Sequence, residues 1–345
     1  MAVRRSLGVA ALGVGSLAVA ALATLWSPWG LTAAAASAVV VVGVVTSPFR
    51  GRRLRGLTWA GLVGVAVVLG ARVVVADDGE HLRAVPLPEG GRGGRIVDRL
   101  VEEQDVVLSA APLLGSLRMI PRGEGEGLTG ALQTEYARMR GAEGAAPSPF
   151  ASTVLGLDGP DAFDVLLHEA QGARGSVAVV FLHGYGGSFA LPCWEVAAAA
   201  ARVGMETACP SVGPRGDWWT PRGERIARET VRWVRGRGAT RVVLAGLSNG
   251  GIGASRLAPR LRREIDGVVL LSGAAPVAPP RGLPVLVVHG RQDRMTSASV
   301  ATRYARRAGR HGTLVLLPGD HFVLVHRAEQ IQARLAEWLA AFAAT

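Results

Sequence analysis

The stretch RVVLAGLSNGGIGASRLAPRL, residues 241–261, sets the fold question for the whole chain. An apolar run of strand length ends in Gly-Leu-Ser-Asn-Gly and passes into a segment with helical spacing. Glycines at 246 and 250 let the backbone make a tight strand-to-helix turn where a side chain would collide, and Ser248 sits at its tip. The pattern is short and the chain holds 46 glycines among 345 residues. Its meaning therefore depends on what the neighbouring segments carry.

Working outward, apolar runs of strand length alternate with helical stretches: VAVVFLHG from Val177, METACP from Met205, GVVLLSG from Gly267, PVLVVHG from Pro284 and TLVLLPG from Thr313. Runs with both faces apolar, separated by amphipathic helices, predict a buried, mostly parallel sheet wound on both sides by helices. Upstream, STVLGLD and AFDVLLHEA flank GPD and read as a β-hairpin. In such sheets sites form beyond the carboxyl ends of the strands. There the chain carries HGYGG (183–187), GLSNG (246–250), HGRQD (289–293) and GDHF (319–322). A serine, an acid and a histidine thus follow one another in order, each at the end of a separate strand.

These four motifs resemble the α/β-hydrolase superfamily, across Ser152 to about Leu339. The resemblance implies an α/β-hydrolase fold without a cofactor, with Ser248 as nucleophile, Asp293 as orienting acid and His321 as general base. Each role has a chemical reason. A serine hydroxyl is a weak nucleophile at neutral pH until an imidazole takes its proton, and the imidazole must be oriented by an acceptor on its other nitrogen. Asp320, beside His321, is the alternative acid. The backbone N–H groups of Tyr185 and Asn249 are the expected oxyanion donors. His183 reads as structural support for its loop, and His289 as a strand-end residue outside the catalytic set. Trp218 and Trp219 are the candidate substrate contacts, with Phe189, Trp194 and Phe322 flanking the other motifs.

The connection APVAPPRGL between Leu270–Ala274 and the next strand leaves no room for a lid inserted there. That favours an open site for short or medium acyl groups or a surface polymer. Cys193 and Cys209 lie toward the same sheet edge, either as two small buried apolar side chains or as a disulfide. Residues 77–150 form a helical linker or lid-like region, with helical spacing over 96–120 broken by Pro112 and Gly115, a joint at GEGEG (123–127) and a second helix over 128–140. Residues 151–345 are the expected catalytic domain.

The remaining part, residues 1–76, differs in kind. No charged residue occurs from Ser6 to Phe49. Transmembrane helices are expected over about 6–26, 31–46 and 56–76, the first pair joined by SPWG. A cleaved signal peptide is the rival reading of the first run. Arginines 4, 5, 50, 52, 53 and 55 against Asp77, Asp78 and Glu80 orient the chain as a multi-pass membrane protein whose catalytic domain is extracytoplasmic.

The net charge is +11, and every basic side chain counted with it is arginine. The arginines spread over solvated helix faces rather than gathering into a patch, which speaks against a nucleic-acid partner and for a loose attraction to anionic lipid. The expectation is a membrane-anchored serine hydrolase acting on carboxylic esters or thioesters, its partner a small-molecule or lipid-like acyl ester. A peptidase or acyltransferase would use the same three residues. A catalytically silent scaffold is the remaining reading.

Overall fold

The computed structural model describes residues 79–89, 96–116, 120–121, 123–144, 146, 148–159, 161–170 and 176–345, with isolated positions between 63 and 74. The expected membrane spans 6–26, 31–46 and 56–76 lie outside the described residues but for those isolated positions. Among the described residues no helix is long and apolar enough to cross a membrane. The chain divides into two units, Met1–Asp77 with Arg99–Leu113, and Asp78–Asp98 with Leu114–Thr345. In the first, the described part is chiefly the body of one helix; the second contains the sheet.

The elements in order are β1 (Leu82–Leu87), α1 (Ile96–Leu100), α2 (Glu103–Ser116), α3 (Leu128–Glu143), α4 (Phe150–Val154), β2 (Phe163–His168), β3 (Val177–Leu182), α5 (Ala190–Ala201), β4 (Glu206–Pro210), α6 (Pro221–Gly236), β5 (Arg241–Leu247), α7 (Asn249–Leu257), β6 (Gly267–Leu271), β7 (Val285–Gly290), α8 (Ala298–Arg307), β8 (Gly312–Leu317), α9 (Val323–His326) and α10 (Ala328–Ala343). The sheet has eight strands in the order β1-β2-β4-β3-β5-β6-β7-β8. From β4 onward across the sheet all pairings are parallel, whereas β2 is antiparallel to both β1 and β4.

The expected mostly parallel, doubly wound sheet is present, and its cause is visible in the burial. Strands β3, β6 and β7 are buried at every residue. Val180, Leu244, Leu270 and Val287 lose all solvent contact in one core, each such side chain contributing about 1.5–3 kcal/mol. Helix α6 shows how the covering layer forms. Thr220 caps it by accepting the Gly223 N–H, Pro221 starts it with a preset φ, and Ile226, Ala227, Thr230, Val231 and Val234 make its buried stripe. Its arginines face out and meet acids: Arg228 pairs with Glu224 and Glu264, and Arg235 with Asp266.

Two expectations give way here. STVLGLD is not a strand: Phe150–Val154 is a short helix, anchored by Phe150 stacked on Phe189 at 4.8 Å. The Ser152 N–H is donated to Asp98, so this backbone has no ladder to join. The antiparallel partner of β2 is instead LRAVPL, Leu82–Leu87, paired in register from Leu82↔His168 to Leu87↔Phe163. Pro86 is tolerated because β1 is an edge strand. The sheet thus draws on residues upstream of position 151, the expected start of the catalytic domain.

The helix expected over 128–140 runs to Glu143 and packs against α5 and α9. Against α5, burial and the neighbouring Glu135 push the Glu195 carboxyl up to about 9, and Gln332 donates to it at 2.6 Å. Cys193 on α5 and Cys209 on β4 form a disulfide, which settles the alternative left open by the sequence.

Candidate active site

Ser248 occupies the turn between β5 and α7 with φ 54° and ψ −118°, a conformation that non-glycine residues rarely adopt. The turn closes so tightly that a Cβ at Gly246 would lie 2.2 Å from the Gly250 carbonyl oxygen, and one at Gly250 would lie 1.9 Å from that of Leu182. The glycines are therefore required by close approach, and the strained φ belongs to the serine itself. The Ser248 N–H donates to Leu271 O at 2.9 Å, tying the turn to the end of β6.

His321 reaches this turn from the loop after β8. Its Nε2 is 2.9 Å from Ser248 Oγ, and its Nδ1 is 2.9 Å from Asp293 Oδ2. With Nδ1–H donating to the carboxylate, Nε2 is left to accept the serine proton. The three residues expected from strand-end order are thus brought into one hydrogen-bonded line, with His321 nearly buried and Ser248 half-buried.

Asp293 is held by more donors than the sequence suggested. Its Oδ1 accepts the N–H groups of Met295 and Thr296 at 2.9 and 2.8 Å, and its Oδ2 is 2.8 Å from Thr296 Oγ1. His289, expected to stand outside the site, places Nε2 3.1 Å from the same Oδ2. Burial raises the Asp293 pKa, but hydrogen bonds from His289 and His321 outweigh it and hold the carboxyl well below its ordinary value. The acid stays ionised and aimed. Thr296 Oγ1 also sits 2.8 Å from Ser272 O, linking the acid loop to β6.

Asp320 has another task. Its carboxylate accepts the Gly125 N–H at 2.6 Å and the Phe322 N–H at 2.9 Å. Beside it lies Glu124, from the segment read in the sequence as a mere joint. Glu124 is 6% exposed; its Oε1 accepts the Arg294 N–H at 2.6 Å and its Oε2 the His321 N–H at 2.9 Å. One buried carboxylate therefore clamps the backbone next to Asp293 and the backbone of His321. The sequence signal was slight: two acids among glycines, outside any helix.

The HGYGG loop passes directly over the serine, since a Cβ on Gly184 would lie 3.2 Å from Ser248 Cβ. Tyr185 follows it, and Asn249 opens α7, a helix whose positive end faces the turn. The Asn249 side chain donates to Arg215 O at 2.8 Å, and the Gly186 N–H to Pro214 O at 2.7 Å, so both expected donor segments rest on one loop. His183 is structural, as expected. Its Nδ1 lies 2.8 Å from Gly184 O, its Nε2 accepts the Val212 N–H, and burial lowers its pKa to about 4, so it is neutral.

Trp218 and Trp219, the expected substrate contacts, have different surroundings. Trp218 is fully buried, donates Nε1–H to His183 O at 2.9 Å, and packs so closely on α7 that a Cβ at Gly253 would lie 2.3 Å from its own. It supports the oxyanion-side loop from beneath. Trp219 is half-buried, with the Arg256 guanidinium 5.3 Å from its ring centroid, and lines a surface cavity with Pro221, Glu224 and Arg260. Adjacent positions in the turn pointed to opposite surroundings, which no sequence pattern could separate. Tyr185 in the HGYGG loop and Met295, two residues after Asp293, are exposed.

This arrangement is a mostly parallel eight-stranded sheet with Ser248 on a strained turn at a strand end. Neither a family model nor a curated protein matches the chain. Solved structures similar to it include a member of the α/β serine hydrolases without a lid from Xanthomonas campestris, at 21% identity and TM-score 0.44, covering 54% of this chain and 91% of that one. Est1E from Butyrivibrio proteoclasticus is 17% identical with TM-score 0.45, covering 53% of this chain and 96% of its own. An esterase from Pyrococcus furiosus is 15% identical with TM-score 0.43, covering 53% and 88% respectively.

Proposed function

We propose that the protein is a serine hydrolase that cleaves carboxylic esters or thioesters through an acyl-enzyme. The observation that supports this most is the unbroken line from Ser248 Oγ through His321 to Asp293, both links 2.9 Å, with the serine on a strained turn. In the first step Ser248 Oγ attacks the acyl carbon while its proton passes to His321 Nε2. The oxyanion that forms is held by the N–H groups of Tyr185 and Asn249, each such donor typically worth ~10²–10³ in rate. Collapse expels the alcohol or thiol, which takes the proton from His321. Water then repeats the sequence: His321 takes its proton, the ester to Ser248 breaks, and the carboxylic acid leaves as Ser248 regains its hydrogen.

Tyr185, in the HGYGG loop, and Met295, two residues after Asp293, are exposed and are the proposed contacts for the acyl or alcohol group, in place of Trp218 and Trp219. The short connection after β6 supports an open site and small or medium acyl groups. A fluorophosphonate probe tests the assignment: the intact protein should label and Ser248→Ala should not. Equal labelling of both, or none of either alongside a correctly folded protein, overturns it.

We further propose that residues 1–76 anchor this unit in a membrane with the catalytic part outside the cytoplasm. The uncharged run and the arginine distribution support the topology, and the Cys193–Cys209 disulfide suits an oxidising compartment. A reporter fused after Thr345 that is active only in the cytoplasm would reverse the orientation.

A further inference from the structure

At the far side of the same unit lies a second meeting of histidines and a carboxylate, unrelated to the hydrolytic site. His81 precedes β1, His168 ends β2 and Glu143 ends α3. Their donor atoms all lie within 4.8 Å of one another. We propose that these three side chains bind a divalent transition-metal ion of zinc type, which staples α3 to the edge of the sheet.

The spacings favour a shared ion over a simple ion pair. Glu143 Oε1 is 3.3 Å from His168 Nε2 and 3.8 Å from His81 Nδ1. Direct charge-assisted bonds between such groups close to about 2.7–2.9 Å. Donors around a tetrahedral zinc, with bonds near 2.0–2.1 Å, stand roughly 3.3–3.4 Å apart. One spacing matches that edge and the other exceeds it by a few tenths of an ångström; the two imidazoles close the rest by rotation of His81, whose side chain is 27% exposed.

The carboxylate is already oriented for this role. Glu143 Oε2 accepts the backbone N–H groups of His81 and Leu82 at 2.8 and 3.0 Å, which leaves Oε1 turned between the two rings. Such outer contacts to a ligand are the usual means of fixing a metal site. His168 is the more deeply enclosed of the two imidazoles. Its side chain is 4% exposed, and its Nδ1 finds no hydrogen-bond partner among the described residues. Solvent enters beside His81, where water completes the fourth position.

Placement makes the ion structural. Because β2 runs antiparallel to β4, His168 pairs with Thr207 near the start of that strand. This is the amino end of the parallel strands, opposite Ser248 and His321. Helix α3 would then be fastened at both ends, through Glu143 to the metal and, just before its first turn, through Glu124 to the acid and histidine loops.

The test uses the full chain in detergent micelles, without a histidine tag. Zinc content after gel filtration, zinc affinity by competition with a chromogenic chelator, and the visible d–d absorption of Co(II) are read in wild type, His81→Ala and Glu143→Gln. Wild type should hold one zinc per chain and give a tetrahedral Co(II) spectrum. Each variant should lose the spectrum and bind zinc at least tenfold more weakly, while fluorophosphonate labelling of Ser248 is unchanged. His81→Ala alters a partly exposed side chain, so its fold is checked by that same labelling; wild-type stoichiometry stands independently of any variant. Absence of bound zinc in wild type, or affinities within tenfold in wild type and variants, overturns the proposal. Zinc content, zinc affinity and the Co(II) spectrum do not depend on whether the protein hydrolyses esters.

Discussion

Two clusters in this protein are built from the same parts, two imidazoles around one carboxylate. At the carboxyl end of the parallel strands, Asp293 Oδ2 lies 2.9 Å from His321 and 3.1 Å from His289. At the other end, Glu143 Oε1 lies 3.3 Å from His168 and 3.8 Å from His81. The first is closed up into direct hydrogen bonds and its outer histidine faces a serine. In the second, the spacing is wider and no nucleophile adjoins it among the groups that meet there. Composition alone does not distinguish a proton relay from a cation cradle. Spacing and the next neighbour do.

The comparison breaks most sharply at Ser248. Replacing it with alanine should lower kcat for p-nitrophenyl acetate by about 10⁴–10⁶-fold, measured with active protein of unchanged melting temperature. Asp293→Asn should cost ~10⁴-fold, because the amide no longer selects the tautomer that leaves Nε2 free. A smaller loss than tenfold would mean that His289 and Thr296 suffice to orient the ring.

Glu124 probes how firmly the first cluster is braced from outside the strand ends. Removing its carboxylate takes the acceptor from the buried His321 N–H and from the Arg294 N–H, and frees the backbone beside both Asp293 and His321. Glu124→Ala is expected to reduce kcat by roughly 10²-fold with little change in KM, and Glu124→Gln, which keeps one of the two acceptor oxygens, should recover only part of it. A purely structural role would instead lower the amount of folded enzyme and leave the kcat of what remains intact.

His183 gives a pH signature in stability. Its folded pKa, about 4, is below the ordinary 6.5. The neutral form is therefore favoured by folding, and its contribution is complete above pH 6.5 and lost as pH falls toward 4. That difference amounts to about 3 kcal/mol. Chemical denaturation at pH 7 and pH 4.5 should show a steeper loss in wild type than in His183→Asn. At the small end, His81→Ala should leave esterase turnover unchanged, since its cluster lies at the opposite end of the strands.

The inner strands were legible because burial on both faces imposes an unbroken apolar run, as in VAVVFL and VVLAGL. The strand-end serine, acid and histidine could be found for the same reason: each follows such a run. The edge was not legible. LRAVPL contains Arg83 and Pro86, which disguise a strand that needs only one buried face, and STVL has β-branched residues that packing of Phe150 on Phe189 turned into a helix. His289 was visible but had no stated partner, since its contact with Asp293 depends on how the loop folds back after β7.

By itself, the sequence determined the layered α/β architecture and the order of Ser248, Asp293 and His321, because periodic burial and strand-end position are local properties of the chain. Tertiary structure alone decided that Glu124 clamps the loops that carry Asp293 and His321, that Trp218 is buried support rather than a pocket wall, and that His81, Glu143 and His168 meet. Each of those depends on contacts between distant segments of the chain, such as Trp218 with His183, Glu143 with His81 and Glu124 with His321. No local pattern encodes which distant backbone N–H or imidazole a carboxylate will find.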